Sequence, residues 1–289
     1  MVNIDNLKRR AQIVSAIRRF FDEQDFTEVT TAVRIAAPAP EPHIDCPPCG
    51  REFLRASPEL QMKKLLAMGM DRIYQIGPCF REGELGSRHN PEFTMIEWYR
   101  RNATYLDIME DTKKLIVALT DFLDLQPPTF DLLNVRDAYI ELAGWDPWVD
   151  WNQDRFDFDM ATKIEPNLPK TPVFLIDYPP QASSLAKISV RSQPLPSTSV
   201  YRIAERWEFY WPGMELANCF TELCDEAEQR GRFAAAKAER RELGESDYPI
   251  DEEFLSLLPE IGSASGVALG VDRLVALLCG ASDIHAVMA

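Results

Sequence analysis

The sequence predicts an α+β chain, and three observations carry that prediction. Residues 72–101 and 201–225 each read as an antiparallel hairpin, two strand-like runs joined by a polar or Pro-containing turn. Residues 6–24 and 105–123 carry apolar side chains at helical spacing. Near the C-terminus the run SASGVALGVDRLVALLCG is a glycine-punctuated strand that passes straight into an apolar helix.

The 289 residues are read as a single catalytic-sized domain, 1–289, with a helical insertion over 126–172. An apolar content of 46% and a charged content of 27% belong to an ordinary globular protein, with no apolar run long enough to span a membrane. The N-terminus lacks an apolar signal segment, which predicts a cytoplasmic protein. A net charge of −15 disfavours binding along phosphate backbones and suits a cationic substrate. Six cysteines (Cys46, Cys49, Cys79, Cys219, Cys224, Cys279) follow no disulfide framework. The pattern His43-x-x-Cys46-Pro-Pro-Cys49 has no second pair to complete a zinc site, so it reads as a Pro-rich loop, and the role of Cys46 and Cys49 stays open.

In chain order, Leu7, Ala11, Val14, Ile17 and Phe21 form the expected buried stripe of the first helix, with Arg9, Arg10, Arg18 and Arg19 off it. A β-branched run from Thr27 to Val33 predicts a strand, and 36–48 a Pro-rich loop. FLRASPELQMKKLLAMG reads as a strand, then Ser57 as N-cap, Pro58 in the first helical position and Gly69 as the stop. Glu59 then sits in the first turn, where a carboxylate suits the helix dipole whether or not it binds anything. In FREGELGSRHNPEFTMIEWYRR (80–101), Gly83, Gly86, Asn90 and Pro91 form the turn. The returning strand places Phe93, Met95, Glu97 and Tyr99 on one face, and Glu92, Thr94, Ile96 and Trp98 on the other. Arg81 arrives beside the first face; an exposed hairpin with a salt bridge is the plainer alternative.

The segment 126–172, with its GWDPWVDW run, is expected to wall a cleft, and Val173 to Tyr178 to be a buried strand. In the second hairpin, turning at Trp211-Pro212, a Tyr210–Gly213 pair sets Glu208 directly opposite Glu215. Like charges facing across a sheet need a cation between them, unless both are simply solvated. The run from Asp225 to Arg241 reads as a solvated helix with an Ala-rich packed side, ending at Gly244. Arg273 falls in the first turn of the last helix, against the local dipole, which points to an anionic partner.

These strings together resemble the class II aminoacyl-tRNA synthetases, specifically the lysyl branch. Residues 80–99 are similar to motif 2, the helix and strand of 6–33 to motif 1 with Ala32 in place of the usual proline, and GVALGVDR to motif 3. SPEL and E-x6-E-x-x-N-x-F-x-E resemble two lysyl-branch signatures. The resemblance implies a mostly antiparallel sheet flanked by helices, a homodimer, and ATP with Mg²⁺. It implies that Arg81 holds the substrate carboxylate and α-phosphate, that Arg88 and Arg273 bind the γ-phosphate end, and that Phe93 stacks on adenine. His89, Asn90 and Gly270 fall within the implied ATP site. Glu208 and Glu215 are the implied Mg²⁺ ligands. Glu59, Glu97, Tyr99, Asn218, Glu222 and Ala268 are the implied amino-acid pocket, with Glu59 and Glu222 receiving two ammonium groups.

Three departures matter. The adenine-contacting glutamate of the lysyl branch is displaced, with Glu84 its candidate substitute. The middle glycine of motif 3 is Ala268, which reshapes the pocket floor. The sequence leaves no room before residue 1 for an anticodon-reading barrel. A stand-alone lysyl-type catalytic domain with this variant resembles the branch that transfers (R)-β-lysine, or lysine, to a lysine ε-amine of elongation factor P. That branch makes elongation factor P the expected acceptor, with no tRNA and no membrane as partners. A truncated synthetase that charges tRNA, or a non-catalytic paralogue that binds lysine or a nucleotide, are the alternatives. No residue suggests itself as the base that deprotonates the acceptor amine.

Overall fold

A computed structural model describes residues 3–183, 185–192 and 200–289; in the run QASSLAKIS (181–189), which resembles a substrate-side loop of the lysyl branch, Ser184 lies outside them. Asn3 caps α1 (Ile4–Glu23), its side chain accepting from the Asp5 and Asn6 amides. The buried stripe of α1 is Ile13, Ala16, Ile17 and Phe21, while Leu7 is half-buried and Ala11 exposed. Ile17 and Phe21 of the expected stripe are buried, with Phe21 stacked on Tyr74 (4.7 Å) and packed on Trp98 (5.2 Å), and Val14 is partly buried against the same core. The expected strand over Thr27–Val33 shrinks to β1 (Thr27–Glu28), which pairs parallel with residues 73–74, before the chain leaves the sheet.

The chain then forms β2 (Arg34–Ile35), β3 (Pro48–Cys49) and β4 (Glu52–Leu54), a small sheet of order β2-β4-β3. The helix α2 (Glu59–Ala67) starts one residue later than expected, with Pro58 in the cap position and the Ser57 hydroxyl still accepting from the Glu59 amide (3.0 Å). The first hairpin is β5 (Arg72–Phe80) and β6 (Glu92–Arg101), followed by α3 (Tyr105–Phe122) behind a Thr104/Asp107 capping box. Residues 126–172 contribute β7 (Asp131–Asn134), α4 (Val135–Ala138) extended by a π turn over Tyr139–Ala143, and α5 (Gln153–Asp159). They are followed by the fully buried β8 (Val173–Tyr178), β9 (Ile188–Ser192), β10 (Val200–Tyr210) and β11 (Glu215–Thr221). Last come α6 (Glu226–Glu242), α7 (Glu252–Ile261), β12 (Ala264–Gly270) and α8 (Val271–Leu278).

The main sheet has the order β1-β5-β6-β12-β11-β10-β8-β7, with β9 added to β10. Among the described residues only β1–β5 and β7–β8 pair parallel, so the sheet is mostly antiparallel. Period-2 alternation then sorts its two faces. Ile96, Trp98, Trp207, Phe209, Cys219, Val267 and Leu269 join α1, α3 and α8 in one core. The alternate positions Met95, Glu97, Tyr99, Glu208, Asn218, Gly266, Ala268 and Gly270 line a cavity of about 910 Å³ on the other face.

The second hairpin departs from its expected register. Glu208 pairs with Asn218, not Glu215, and Tyr210 pairs with Glu215, with a bulge between Phe209 and Tyr210. The reason is the turn: Trp211 and Met214 close it (3.0 Å), and the extra residue is absorbed at Leu216. The helix α6 also differs. Its inward side is Gln229, Phe233 and the fully buried Arg240, not an alanine face.

Gly266 pairs with Tyr99 across β12 and β6, and a Cβ there would lie 2.1 Å from the Tyr99 ring. Gly266→Ala is therefore expected to destabilise the fold by about 1–3 kcal/mol, the usual cost of overpacking a tight site. Urea unfolding measures it; an unchanged midpoint would mean that the Tyr99 ring has room to move aside.

Candidate active site

Two acidic clusters lie at opposite ends of the cavity, with arginines along the way. At one end Glu97, 1% exposed on β6, accepts from the Ser57 hydroxyl (2.6 Å) and the Tyr99 phenol (2.8 Å). Burial and the neighbouring Glu59 push its carboxyl up to about 7. Glu59 lies in the cavity wall, as the cap geometry of α2 requires. Glu222, just beyond β11, does not line the cavity. Its side chain is wholly buried, and it contacts the Lys63 ammonium, which also lies 2.5 Å from Glu59. Burial pushes the Glu222 carboxyl up to about 8, while Glu222 and Glu59 outweigh burial at Lys63 and raise its ammonium above the ordinary lysine range, so the amine keeps its proton.

At the other end Glu208, on β10, accepts from the Tyr178 phenol (2.6 Å), the Tyr210 phenol (2.7 Å) and Arg206 (2.5 Å). Arg206 also donates to Asn218 (3.1 Å) and lies 4.5 Å from the Tyr178 ring. Glu215 is partly exposed into the cavity, and burial together with Glu208 pushes its carboxyl up to about 7. Three donors leave Glu208 lone pairs to spare, since an ionised carboxylate has about four acceptor sites. Two oxygen donors held against their own repulsion fit Mg²⁺, which uses one or two carboxylates and completes its shell with phosphate and water.

Between the clusters, Arg81 lies 5.2 Å from the Phe93 ring and 3.5 Å from Glu84, and its Nε is buried with no hydrogen-bond partner among the described residues. A buried, unpaired guanidinium donor opening on a cavity is a ready anion receptor. The loop between β5 and β6 closes on itself through Gly86 and His89, whose imidazole is shifted down by burial and by Arg273. It projects Arg88, which donates to the Gly213 carbonyl, while Asn90 braces the loop by donating to the Glu92 carbonyl (2.5 Å). Arg273 donates to the carbonyls of Arg88 (3.1 Å) and Glu215 (2.9 Å). Its neighbour Asp272 is buried, accepts from the Thr94 amide (2.7 Å) and pairs with Arg10 (2.5 Å), which pins the start of α8 to β6 and α1. The floor beneath is Gly266, Ala268 and Gly270.

The cavity thus brings together Glu59, Arg81, Glu84, Arg88, His89, Asn90, Phe93, Glu97, Tyr99, Glu208, Glu215, Asn218, Ala268, Gly270 and Arg273, with Glu222 alone set behind its wall. Sequence reasoning missed Lys63, Arg206, Tyr178, Tyr210 and Glu41. Lys63 follows Glu59 by four residues and Arg206 precedes Glu208 by two, spacings that place each pair on one face. Glu41 lines the mouth, its carboxyl raised by burial and by Glu59, and nothing in its Pro-rich surroundings signals this.

A raised carboxyl has a thermodynamic signature. The native state holds the Glu97 proton more tightly than the unfolded chain, so this stabilisation is complete below about pH 4.5 and lost as the pH rises through about 7. Glu97→Gln is expected to flatten the stability profile over that window by about 2–3 kcal/mol. Urea titrations across the window read it; parallel profiles for protein and variant would mean that Glu97 is already ionised at low pH.

Comparison with known proteins agrees with this geometry. The profile of the class II tRNA synthetases (D, K and N) matches residues 2–289. The chain is 36% identical to the elongation factor P–(R)-β-lysine ligase of Proteus mirabilis (strain HI4320), over 99% of this chain and 95% of that one. It is 35% identical to the ligases of the same name from Hamiltonella defensa subsp. Acyrthosiphon pisum (strain 5AT) and Pasteurella multocida (strain Pm70), again over 99% of this chain and over 94% and 95% of theirs. With that coverage, and with a mostly antiparallel sheet carrying the cavity, the chain belongs to the class II tRNA synthetase family.

Proposed function

We propose that the protein is an ATP-dependent aminoacyl ligase that activates (R)-β-lysine, or lysine less efficiently, and transfers it to a lysine ε-amine of elongation factor P. The observation that carries this is one cavity that sets Arg81, whose Nε has no hydrogen-bond partner among the described residues, between an amine-recognising acidic end and a second, metal-suited acidic end. The acceptor comes from the relatives' names, and a net charge of −15 favours a protein acceptor over tRNA. The reading includes a cytoplasmic homodimer.

In the first step an oxygen of the amino-acid carboxylate attacks the α-phosphorus of ATP, and pyrophosphate leaves. Both reactants are anionic, so positioning and charge neutralisation carry the catalysis. Arg81 holds the carboxylate and α-phosphate together, and Phe93 stacks on adenine with Glu84 at its edge. His89, Asn90 and Gly270 shape the nucleotide site, while Arg88 and Arg273 receive the γ-phosphate end. Glu208 and Glu215 would hold Mg²⁺, which supplies neutralisation of the phosphate oxygens. Glu59, Glu97 and Tyr99 receive the ammonium groups, with Glu222 behind them; Asn218 and Ala268 shape the floor. In the second step the acceptor's neutral amine attacks the acyl carbon, AMP leaves, and an amide forms.

Glu208→Ala and Glu215→Ala are each expected to cut ATP–pyrophosphate exchange by about two to three orders of magnitude, several kcal/mol of transition-state stabilisation, while the fold persists. Near-normal exchange at saturating Mg²⁺ would remove both residues from the metal site.

The acceptor is tested by incubating the protein with ATP, Mg²⁺ and each lysine isomer, together with elongation factor P or total tRNA. The expected outcome is a mass gain of one lysyl unit on elongation factor P. Efficient tRNA charging with no mass gain on the protein would overturn the reading.

A further inference from the structure

Lys63 is buried on the inner side of α2, 1% exposed, directly behind Glu59 of the cavity wall. Its ammonium lies 2.5 Å from Glu59 Oε1 and in contact with Glu222 Oε2, with the Phe220 ring 5.2 Å away. Both Glu222 oxygens lack a hydrogen bond among the described residues, so this ion pair is what holds that carboxylate in place. We infer that Lys63 is a positioning residue that sets the charge of the amine-recognising wall, and through that charge the preference for an amino acid bearing two ammonium groups. The inference rests on the ligase reading above and deepens it.

Without Lys63, Glu59 and Glu222 would face each other with Glu97 close by, and like charges sharing a buried site drive one another to take up protons. A protonated carboxyl attracts no cation. With Lys63 in place, its ammonium holds Glu222 behind the wall and leaves Glu59 as the carboxyl that faces the cavity beside Glu97. Two carboxyls at one end of the cavity match two ammonium groups, while a mono-ammonium amino acid such as norleucine leaves one of them without a partner. The groups that surround Lys63 electrostatically are Glu59 on its own helix, Glu97 on β6, Glu222 and Cys224 beyond β11, and Glu41 on the loop before β3.

The test is ATP–pyrophosphate exchange by Lys63→Met and Lys63→Ala, with the fold monitored by thermal unfolding. The KM for lysine or β-lysine is expected to rise about 100-fold, the size of one lost charged partner, with the KM for ATP within about twofold. The lysine pH profile is expected to move to higher pH, because carboxyls deprived of the ammonium ionise later. Ethylammonium added to Lys63→Ala is expected to recover part of the lysine affinity where ethanol does not, an effect that a purely structural lysine would not produce. Equal increases in both KM values, or an unmoved pH profile in a folded variant, would overturn the inference. If neither variant folds, nitrogen-15 NMR of the unmutated protein decides the matter: a Lys63 amine that is neutral near pH 8 refutes the assignment, and one that stays charged upholds it. Exchange without loading of elongation factor P would sink the acceptor assignment alone and leave the Lys63 result standing. If lysine supported no exchange at all, calorimetric binding of lysine against norleucine would read the same variants.

Discussion

The register of four antiparallel strands is the constraint on which the site depends. Glu97 on β6 pairs with Ala268 on β12, Ala268 with Asn218 on β11, and Asn218 with Glu208 on β10. These four residues form one row across the sheet, all on the cavity face. Three strand spacings separate its ends, about 14 Å. The row is acidic at both ends and small or neutral in the middle, so it keeps two repelling clusters apart and leaves the space between them open. A one-residue slip in any strand would send that member of the row into the aromatic core and bring a core residue such as Trp98 or Trp207 to the cavity. The packing of those indoles therefore guards the chemistry on the opposite face.

Each acidic cluster is organised around its own internal cation. Arg206 braces Glu208 and Asn218 together, and Lys63 joins Glu59 to Glu222. Buried charge is costly unless paired, and these pairings reduce the cost without cancelling it, since carboxyls at both ends remain raised to about 7. That residual repulsion is relieved by a proton at low pH and by a cation or ammonium above it. The same physics that costs stability as the pH rises through about 7 thus favours a cationic ligand.

How much of this could be read from the sequence follows the range of the interactions involved. Period-2 alternation in 92–101 separated Glu97 and Tyr99 from Ile96 and Trp98, because alternation is a property of a single strand. The pairing of Glu208 was misplaced because it depends on how the turn at 211–214 closes and where a bulge takes up the slack, neither of which is local to Glu208. In α1 the periodicity picks out Ile17 and Phe21, which meet the rings on β5 and β6, but not Ile13 and Ala16, because which side of the first turns is covered depends on elements distant in sequence. Lys63 escaped notice for a different reason. In sequence it looks like one more solvated lysine of an amphipathic helix, and only the convergence of α2 with the end of β11 reveals two carboxylates around it.

The same reasoning explains α6, which composition marked as a solvated helix. Arg240 is fully buried, donates to the carbonyls of Glu41 (2.7 Å) and Ile44 (3.0 Å), pairs with Asp45 (2.5 Å) and Glu245 (2.9 Å), and lies 4.4 Å from the Tyr248 ring. The Tyr248 hydroxyl in turn accepts from the Cys46 amide (2.8 Å). The Pro-rich loop that brings Glu41 to the cavity is therefore held from outside itself, by the Arg240 guanidinium of α6 together with Glu245 and Tyr248. Five donors in a planar fork can satisfy several carbonyls and carboxylates at once, which a lysine at position 240 could not reproduce. The charge density of α6 therefore serves the cavity as well as solvation: its buried Arg240 anchors the loop that brings Glu41 to the cavity, while its outer face mixes acidic and basic side chains in solvent.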